Sequence, residues 1–351
     1  MSEVVRRDPD LVRLVTEFFS QTFTPDVVTT VENTGFSPGL WSSVEQLGLP
    51  LIGIEEDLGG SGGSLLDLLA VGHGAGEYAV PLPLAETSLA AWLLTCAGAP
   101  VEPGPMTVIT DSTRLRLDGN RLSGTAGDVA WARGATRVVA IVEDGSGSSR
   151  VVSVNAADLD IEAGTDLAGM PRDRISAAHV EVQTWAGDVT ADALLLRGAL
   201  LRSAQMAGAM TAAFDLTKRY VEQRVQFGRP IGAFQSVQTH IVELAQASAS
   251  TTLSVDRAGV AALRGPASFE IVAAKSLANR NAGLAVRAAH QAHGAIGMTR
   301  EYSLQLLSRR LQGWRGEFGD EMTLNMRLGA AMARERGIAA AVTSVGSTVA
   351  V

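Results

Sequence analysis

The chain is nearly without cysteine. Among its 351 residues only Cys96 carries a thiol, so neither an internal disulfide nor a thiolate metal cluster can form. In the apolar run AAWLLTCAGA that thiol is expected to be a small buried hydrophobe rather than a nucleophile. Charge is also sparse: charged residues make up 19% and hydrophobic ones 46%, which excludes global disorder because enough apolar side chain is present to offset the ordering entropy of folding. Positive charge is in deficit, with a formal net charge of -8 and no clustered, uncompensated Lys and Arg, so no nucleic-acid partner is expected. Long apolar runs are missing too. No stretch of about 18 residues escapes polar interruption, and MSEVVRRDPD lacks the apolar core of a secretory signal. A cytoplasmic protein with no membrane span is expected. His240, His290 and His293 have no carboxylate or cysteine neighbours at metal-ligand spacing, so no metal site is expected.

What is present is a change of period along the chain. From about residue 8 to 102, apolar residues recur at three- and four-residue spacing, as in PDLVRLVTEFF and LLDLLAVGHGAGEY, which predicts helices. The glycines of GLPLIGIEEDLGGSGGS mark turns, and Ser64 is placed to cap the following helix. That segment lacks the Gly-Lys-Ser/Thr ending of a phosphate loop. Between about 105 and 187 the period falls to two, in TRLRLDG, TRVVAIVEDG and SRVVSVNAADLDIEAG, which predicts a small antiparallel β domain. Helical spacing then returns in four stretches, near 190–225, 235–264, 267–293 and 299–336, with the Gly and Pro punctuation of a four-helix bundle. The expected architecture is α+β: an N-terminal helical domain over 1–104, a middle β domain over 105–187 and a C-terminal four-helix bundle over 188–351.

Two segments carry chemistry. In RVQFGRPIGAFQ, from Arg224 to Gln235, an Arg at a helix end precedes a Phe-Gly turn, a Pro, and a Phe-Gln pair that opens the next helix. In QAHGAIGMTREY, small residues follow Gln291. Together they resemble the signatures of the flavin-dependent acyl-CoA dehydrogenases, and GLPLIGIEEDLGGSG and LDGNRLSGTAGDVAWA extend that resemblance over essentially the whole chain. The resemblance implies FAD as cofactor and an acyl-CoA as substrate. It implies that Arg224 meets the FAD pyrophosphate, since a guanidinium offers donors in a fixed fork to phosphate oxygens. Gln235 would assist, Phe227 would lie against the cofactor, and Gly228 would let the backbone turn. Gln291, Gly294 and Ala295 would approach the adenosine pyrophosphate, with Ala295 standing where the family has a second glycine.

In that family a carboxylate removes an α-proton of the thioester while a β-hydride passes to the flavin, which requires a base of raised pKa and hydrogen bonds to the developing enolate. The place where the resemblance puts this carboxylate holds Phe318, with Glu317 one residue before it and Glu321 three after. A second place used by some members is Gly198 here. Glu317 is therefore the candidate base, against a reading as a solvated charge beside Arg315. The family's hydroxyl-rich flavin stretch is also missing, and Thr110, Ser112 and Thr113 only occupy its region. Arg309, Arg310 and Arg315 form a basic stripe expected to face solvent or an interface.

These departures resemble the short actinobacterial subunits of α2β2 acyl-CoA dehydrogenases, often acting on steroid or other bulky acyl chains. Three readings follow: a complete homo-oligomeric dehydrogenase with Glu317 as base; a non-catalytic subunit that needs a second acyl-CoA dehydrogenase chain; or a flavin-dependent oxidase or monooxygenase on the same fold.

Overall fold

The computed structural model describes residues 7–334. The remaining residues of the expected terminal domains, 1–6 and 335–351, lie outside the described residues. Helical parts at both ends flank a β region, as the change of period implies. The helices are α1 (Pro9–Thr22), α2 (Pro25–Thr34), α3 (Pro38–Gln46), α4 (Leu65–Glu77), α5 (Leu84–Cys96), α6 (Ala191–Gln223), α7 (Gln235–Ala262), α8 (Ser268–His293), α9 (Leu304–Trp314) and α10 (Glu321–Arg334). Strands β1 (Met106–Ile109), β2 (Leu115–Asp118), β3 (Arg121–Ala130), β4 (Arg137–Glu143), β5 (Ser149–Asn155), β6 (Asp160–Glu162), β7 (Arg172–Glu181) and β8 (Gln183–Ala186) make up the β region. A short ribbon pairs β9 (Val225–Gln226) with β10 (Arg229–Pro230).

The chain forms two compact units. One draws on the chain up to Thr29, on Leu69–Val80 and on the chain from Ala199 onward; the other takes Thr30–Leu68 and Pro81–Gly198. In the first, α1 starts from Asp8, whose carboxylate accepts from Asp10 N at 2.9 Å, with Pro9 at the first helical position where its missing N–H costs nothing. Its buried Phe19 packs edge-on against Phe23 at 5.4 Å and Tyr78 at 6.5 Å. Glycine lets α4 and α6 touch backbone to backbone: a Cβ on Gly76 would lie 1.8 Å from Gln205 O, and one on Gly208 would lie 1.8 Å from His73 O. Helices α7 and α8 share a seam of small buried side chains, among them Ala247, Ala258, Ala278 and Ala285. Across it Asn281 Nδ2 donates to Thr251 Oγ1 at 2.9 Å and Ser250 Oγ at 3.0 Å.

The second unit holds two four-stranded sheets, β1-β4-β5-β8 and β2-β3-β7-β6. The expectation of an all-antiparallel domain needs one correction, because β1 pairs with β4 in parallel. Strand β2 alternates buried and exposed residues, whereas Val138 to Val142 in β4 are buried throughout, covered on both faces. A fully buried carboxylate, Asp173, pins two loops by accepting from Arg133 N at 3.0 Å and Gly164 N at 3.1 Å. Ser64 caps α4 as expected: its hydroxyl accepts from Asp67 N at 3.3 Å while Asp67 Oδ2 accepts from Ser64 N at 2.8 Å. Cys96, expected inside, is exposed, because α5 ends on it. Among the described residues no helix is long and apolar enough to cross a membrane, and no three metal-ligating side chains gather.

The stretch expected as one helix over 299–336 is broken. Gly294–Met298 forms a short tight turn of helix, and α9 and α10 are separated by a loop from Arg315 to Asp320. Within that loop Phe318 has φ 54 and Gly319 φ 117, values that leave the helical region. Asp320 then caps the restart, its Oδ1 accepting from Thr323 N at 3.0 Å.

Candidate functional site

The first half of the candidate site is built on the β9–β10 ribbon. Two residues make its turn, Phe227 with φ 52 and Gly228 with φ 78, the pair of positive values that a tight hairpin needs. Glycine accepts this without strain, but a phenylalanine there is held against its preference. Phe227 is 91% exposed, a large apolar surface left in water. Behind it Phe234 meets the Phe227 ring edge-on at 6.1 Å, and the Arg229 guanidinium lies 4.2 Å above the Phe234 ring. Arg224, at the end of α6, is exposed, and its carbonyl accepts from Ile231 N at 2.8 Å to close the ribbon.

The ribbon and the end of α8 enclose a cavity of about 710 Å³, whose lining includes Arg224, Phe227, Phe234, Gln291, Gly294 and Ala295. Five of the residues singled out in the sequence thus meet in one place. Gln235, the sixth, is exposed at the start of α7 and is not among those lining the cavity. Gly294 has φ 64, and a side chain on it would meet nothing within 4 Å, so the backbone there is open. Ala295 has no positive φ, which explains why alanine replaces a glycine at this point. Gly297 has no such latitude, since a Cβ would lie 2.8 Å from His293 Cβ.

Sequence reasoning missed the aromatic wall of the cavity. Tyr220 stacks on His293 with centroids 4.5 Å apart, and His293 Nε2 lies 3.3 Å from Tyr302 Oη. His293 Nδ1 donates to Ala289 O at 2.8 Å, which leaves Nε2 to accept from the tyrosine. Burial lowers the His293 pKa and keeps the ring neutral. The available signal was spacing, because Tyr220 stands one helical turn before Arg224 on the same face.

The second half is the loop between α9 and α10. Glu317, the candidate base, is not a solvated charge beside Arg315. Its side chain is 13% exposed, and Oε2 lies 2.8 Å from Nη2 of the buried Arg202 on α6. Arg315 pairs with Glu321 instead, at 3.5 Å. Arg202 also donates to Gln205 Oε1, and its guanidinium sits 5.2 Å from the Trp314 ring and 5.8 Å from that of Phe318. Phe318, at the expected place of the base, is thus a second aromatic neighbour of this cation. Gly198 is buried and brings no side chain. Ser112 Oγ donates to Ile141 O on β4 and Thr113 Oγ1 to Asp111 Oδ1, so both hydroxyls are already committed. Arg310, expected in solvent or at an interface, is 2% exposed and donates to Leu306 O at 2.9 Å; it faces inward from α9.

The sequence model of the acyl-CoA dehydrogenase C-terminal domain matches residues 186–333. The acyl-CoA dehydrogenase IpdE2 of Mycolicibacterium smegmatis is 29% identical over 281 residues, covering 80% of this chain and 83% of that protein. In structure, a chain of the ChsE4-ChsE5 complex from Mycobacterium tuberculosis superposes with a TM-score of 0.86 at 22% identity, covering 93% of this chain and 97% of that one. Butyryl-CoA dehydrogenase from Megasphaera elsdenii gives 0.85 at 18% identity, covering 95% and 100%.

Proposed function

We propose that the chain is a member of the acyl-CoA dehydrogenase family, and within it the FAD-pyrophosphate subunit of a heteromeric acyl-CoA dehydrogenase whose catalytic carboxylate comes from a second chain. One observation carries this reading: Phe318 stands at the position expected of the base, and the adjacent carboxylate of Glu317 is ion-paired with the buried Arg202. A base must present a lone pair to the substrate carbon. Glu317 Oε2 is engaged elsewhere.

The cavity at the ribbon suits the phosphate end of a dinucleotide. It offers an exposed guanidinium, an exposed aromatic ring and, at Gly294, backbone that an incoming group can approach without meeting a side chain. When bound, FAD supplies the electron sink for the substrate's β-hydride. This chain's residues would bind and orient it: Arg224 would hold phosphate oxygens in its fork, Gln291 would donate from its amide, and Phe227 would shield one side from water. His293 and the Tyr220 ring stacked on it form an aromatic wall, and Tyr302 Oη holds His293 Nε2 in place. A heteromeric assembly also agrees with the name of the ChsE4-ChsE5 complex. The acyl-CoA would be bound jointly with the partner.

The visible spectrum tests this reading. The chain purified alone is expected to hold little flavin, and co-expression with its partner dehydrogenase chain is expected to give a yellow complex bleached by acyl-CoA. Stoichiometric flavin on the isolated chain, bleached by an acyl-CoA, would sink the subunit reading. The second reading, a complete enzyme using Glu317, rests on that residue lying beside the expected position; it fails if Glu317→Gln leaves flavin reduction unchanged.

A further inference from the structure

The chain contains 29 basic side chains of the Lys and Arg type, and only two of them, Lys218 and Lys275, are lysines. Lys218 is exposed, whereas Lys275 has no exposed surface at all. In a chain that elsewhere uses arginine, a lysine in the most buried place differs in one chemical respect: it can give up its proton, and arginine cannot.

Its surroundings are specific. Lys275 Nζ donates to Asn279 Oδ1 one turn along α8, to Trp314 O at 3.0 Å and to Gly319 O at 3.4 Å. Those two carbonyls are the ends of the loop that carries Glu317 and Phe318. Asn279 Nδ2 donates to the same Gly319 O at 3.0 Å, so two residues of α8 clamp the loop from beneath. An ammonium has three N–H groups for these three oxygens. A neutral amine has two, with a lone pair that must face the third. The longest contact, to Gly319 O, is the one that Asn279 also serves, so the closed loop keeps its carbonyls satisfied in either protonation state.

We propose that Lys275 is the positioning residue of the 315–320 loop, and that proton uptake by its amine loosens the loop and with it Glu317. Charged groups reach it from every side: Arg202 from α6, and Arg315, Glu317 and Asp320 from the loop. Glu317 and Asp320 favour the ammonium, Arg202 and Arg315 oppose it, and desolvation outweighs them all, lowering the lysine pKa from 10.5 to about 7. The sign follows from linkage. An open loop lets water reach Nζ and restores the ordinary lysine pKa, so opening takes up a proton between about pH 10 and 7. The open population therefore rises by about tenfold per pH unit as pH falls through that window, and levels off below about 7. The inference concerns this loop and holds whether or not the chain binds flavin.

With only two lysines, the full-length protein labelled with ¹³C at lysine Cε gives two resonances, assigned by Lys218→Arg. Lys275 is expected to titrate near pH 7, with the Lys218 resonance as the internal reference. Trp314, labelled with fluorotryptophan and assigned by Trp314→Phe, is expected to move toward its open-loop signal in a step from about pH 10 to 7 and to hold level below that. In Lys275→Met that step disappears. Lys275→Arg, which stays charged, holds the Trp314 signal at its acid position through pH 9.5. An ordinary titration of Lys275 above about pH 9, or a Trp314 signal that stays flat from about pH 10 to 7, would overturn the proposal. Both readings come from the protein with Lys275 in place, so the outcome does not depend on the Met variant folding.

Discussion

Arg202 and Glu317 meet at 2.8 Å with side chains only 5% and 13% exposed, joining α6 to a loop 115 positions away in the chain. Two charges brought this far out of water are held by each other and by the aromatic faces of Trp314 and Phe318 around the guanidinium. Removing one partner strands the other, while removing both does not. Arg202→Met is expected to cost about 3–5 kcal/mol in urea unfolding, and Arg202→Met with Glu317→Leu should recover most of that loss. A double variant as unstable as the single one would show that the pair is not the cause.

Arg224 makes the opposite prediction, since it is exposed and its guanidinium is free for a ligand. Arg224→Gln should leave the unfolding midpoint unchanged and weaken flavin retention by the assembled enzyme by roughly 10- to 100-fold, the value of a charge-assisted phosphate contact. Raised salt should narrow the difference between variant and wild type. Equal flavin affinities in titration would remove Arg224 from the cofactor site.

His73 gives a pH dependence of known sign. Burial, with a smaller contribution from Arg7, lowers its pKa from 6.5 to about 4. The 3.8 Å contact with Glu77 is therefore no ion pair near neutrality, because the imidazole is uncharged there. A histidine lowered on folding stabilises fully above about pH 6.5 and loses that contribution as pH falls toward 4, here about 3 kcal/mol in all. Unfolding midpoints should decline over this interval, and His73→Gln should flatten the decline.

Gly208 tests the crossing of α4 and α6. A methyl group there would sit 1.8 Å from His73 O, so Gly208→Ala must separate two backbones despite the higher helix propensity of alanine. Thermal unfolding should show a loss of several degrees, whereas Gly329→Ala, which meets nothing within 4 Å, should be neutral or stabilising.

The sequence made regular periodicity readable and tertiary pairing invisible. Alternation in β2, the cap at Ser64 and the ribbon at Phe227 follow from neighbours a few residues apart, and each is found in the structure. The break between α9 and α10 escaped because apolar spacing runs on through GEFGD; what stops the helix is a positive φ at Phe318 and a lysine from another helix binding the loop carbonyls. Arg310 read as surface because charge alone does not reveal an inward turn. Arg202 gave no signal at all, since its partner lies far along the chain, and so the expected freedom of Glu317 could not be checked by spacing.

The burial of Lys275 bears on how the protein can be handled. Of the two ε-amines in the chain only that of Lys218, on the outer face of α6, is open to solvent. Among lysine side chains, an amine-reactive dye or crosslinker applied to the native protein should therefore mark α6 alone, and a lysine-specific protease that needs an exposed side chain has a single candidate bond. Appearance of label at position 275 under mild conditions would then serve as a gauge of loop opening, without any substitution in the protein.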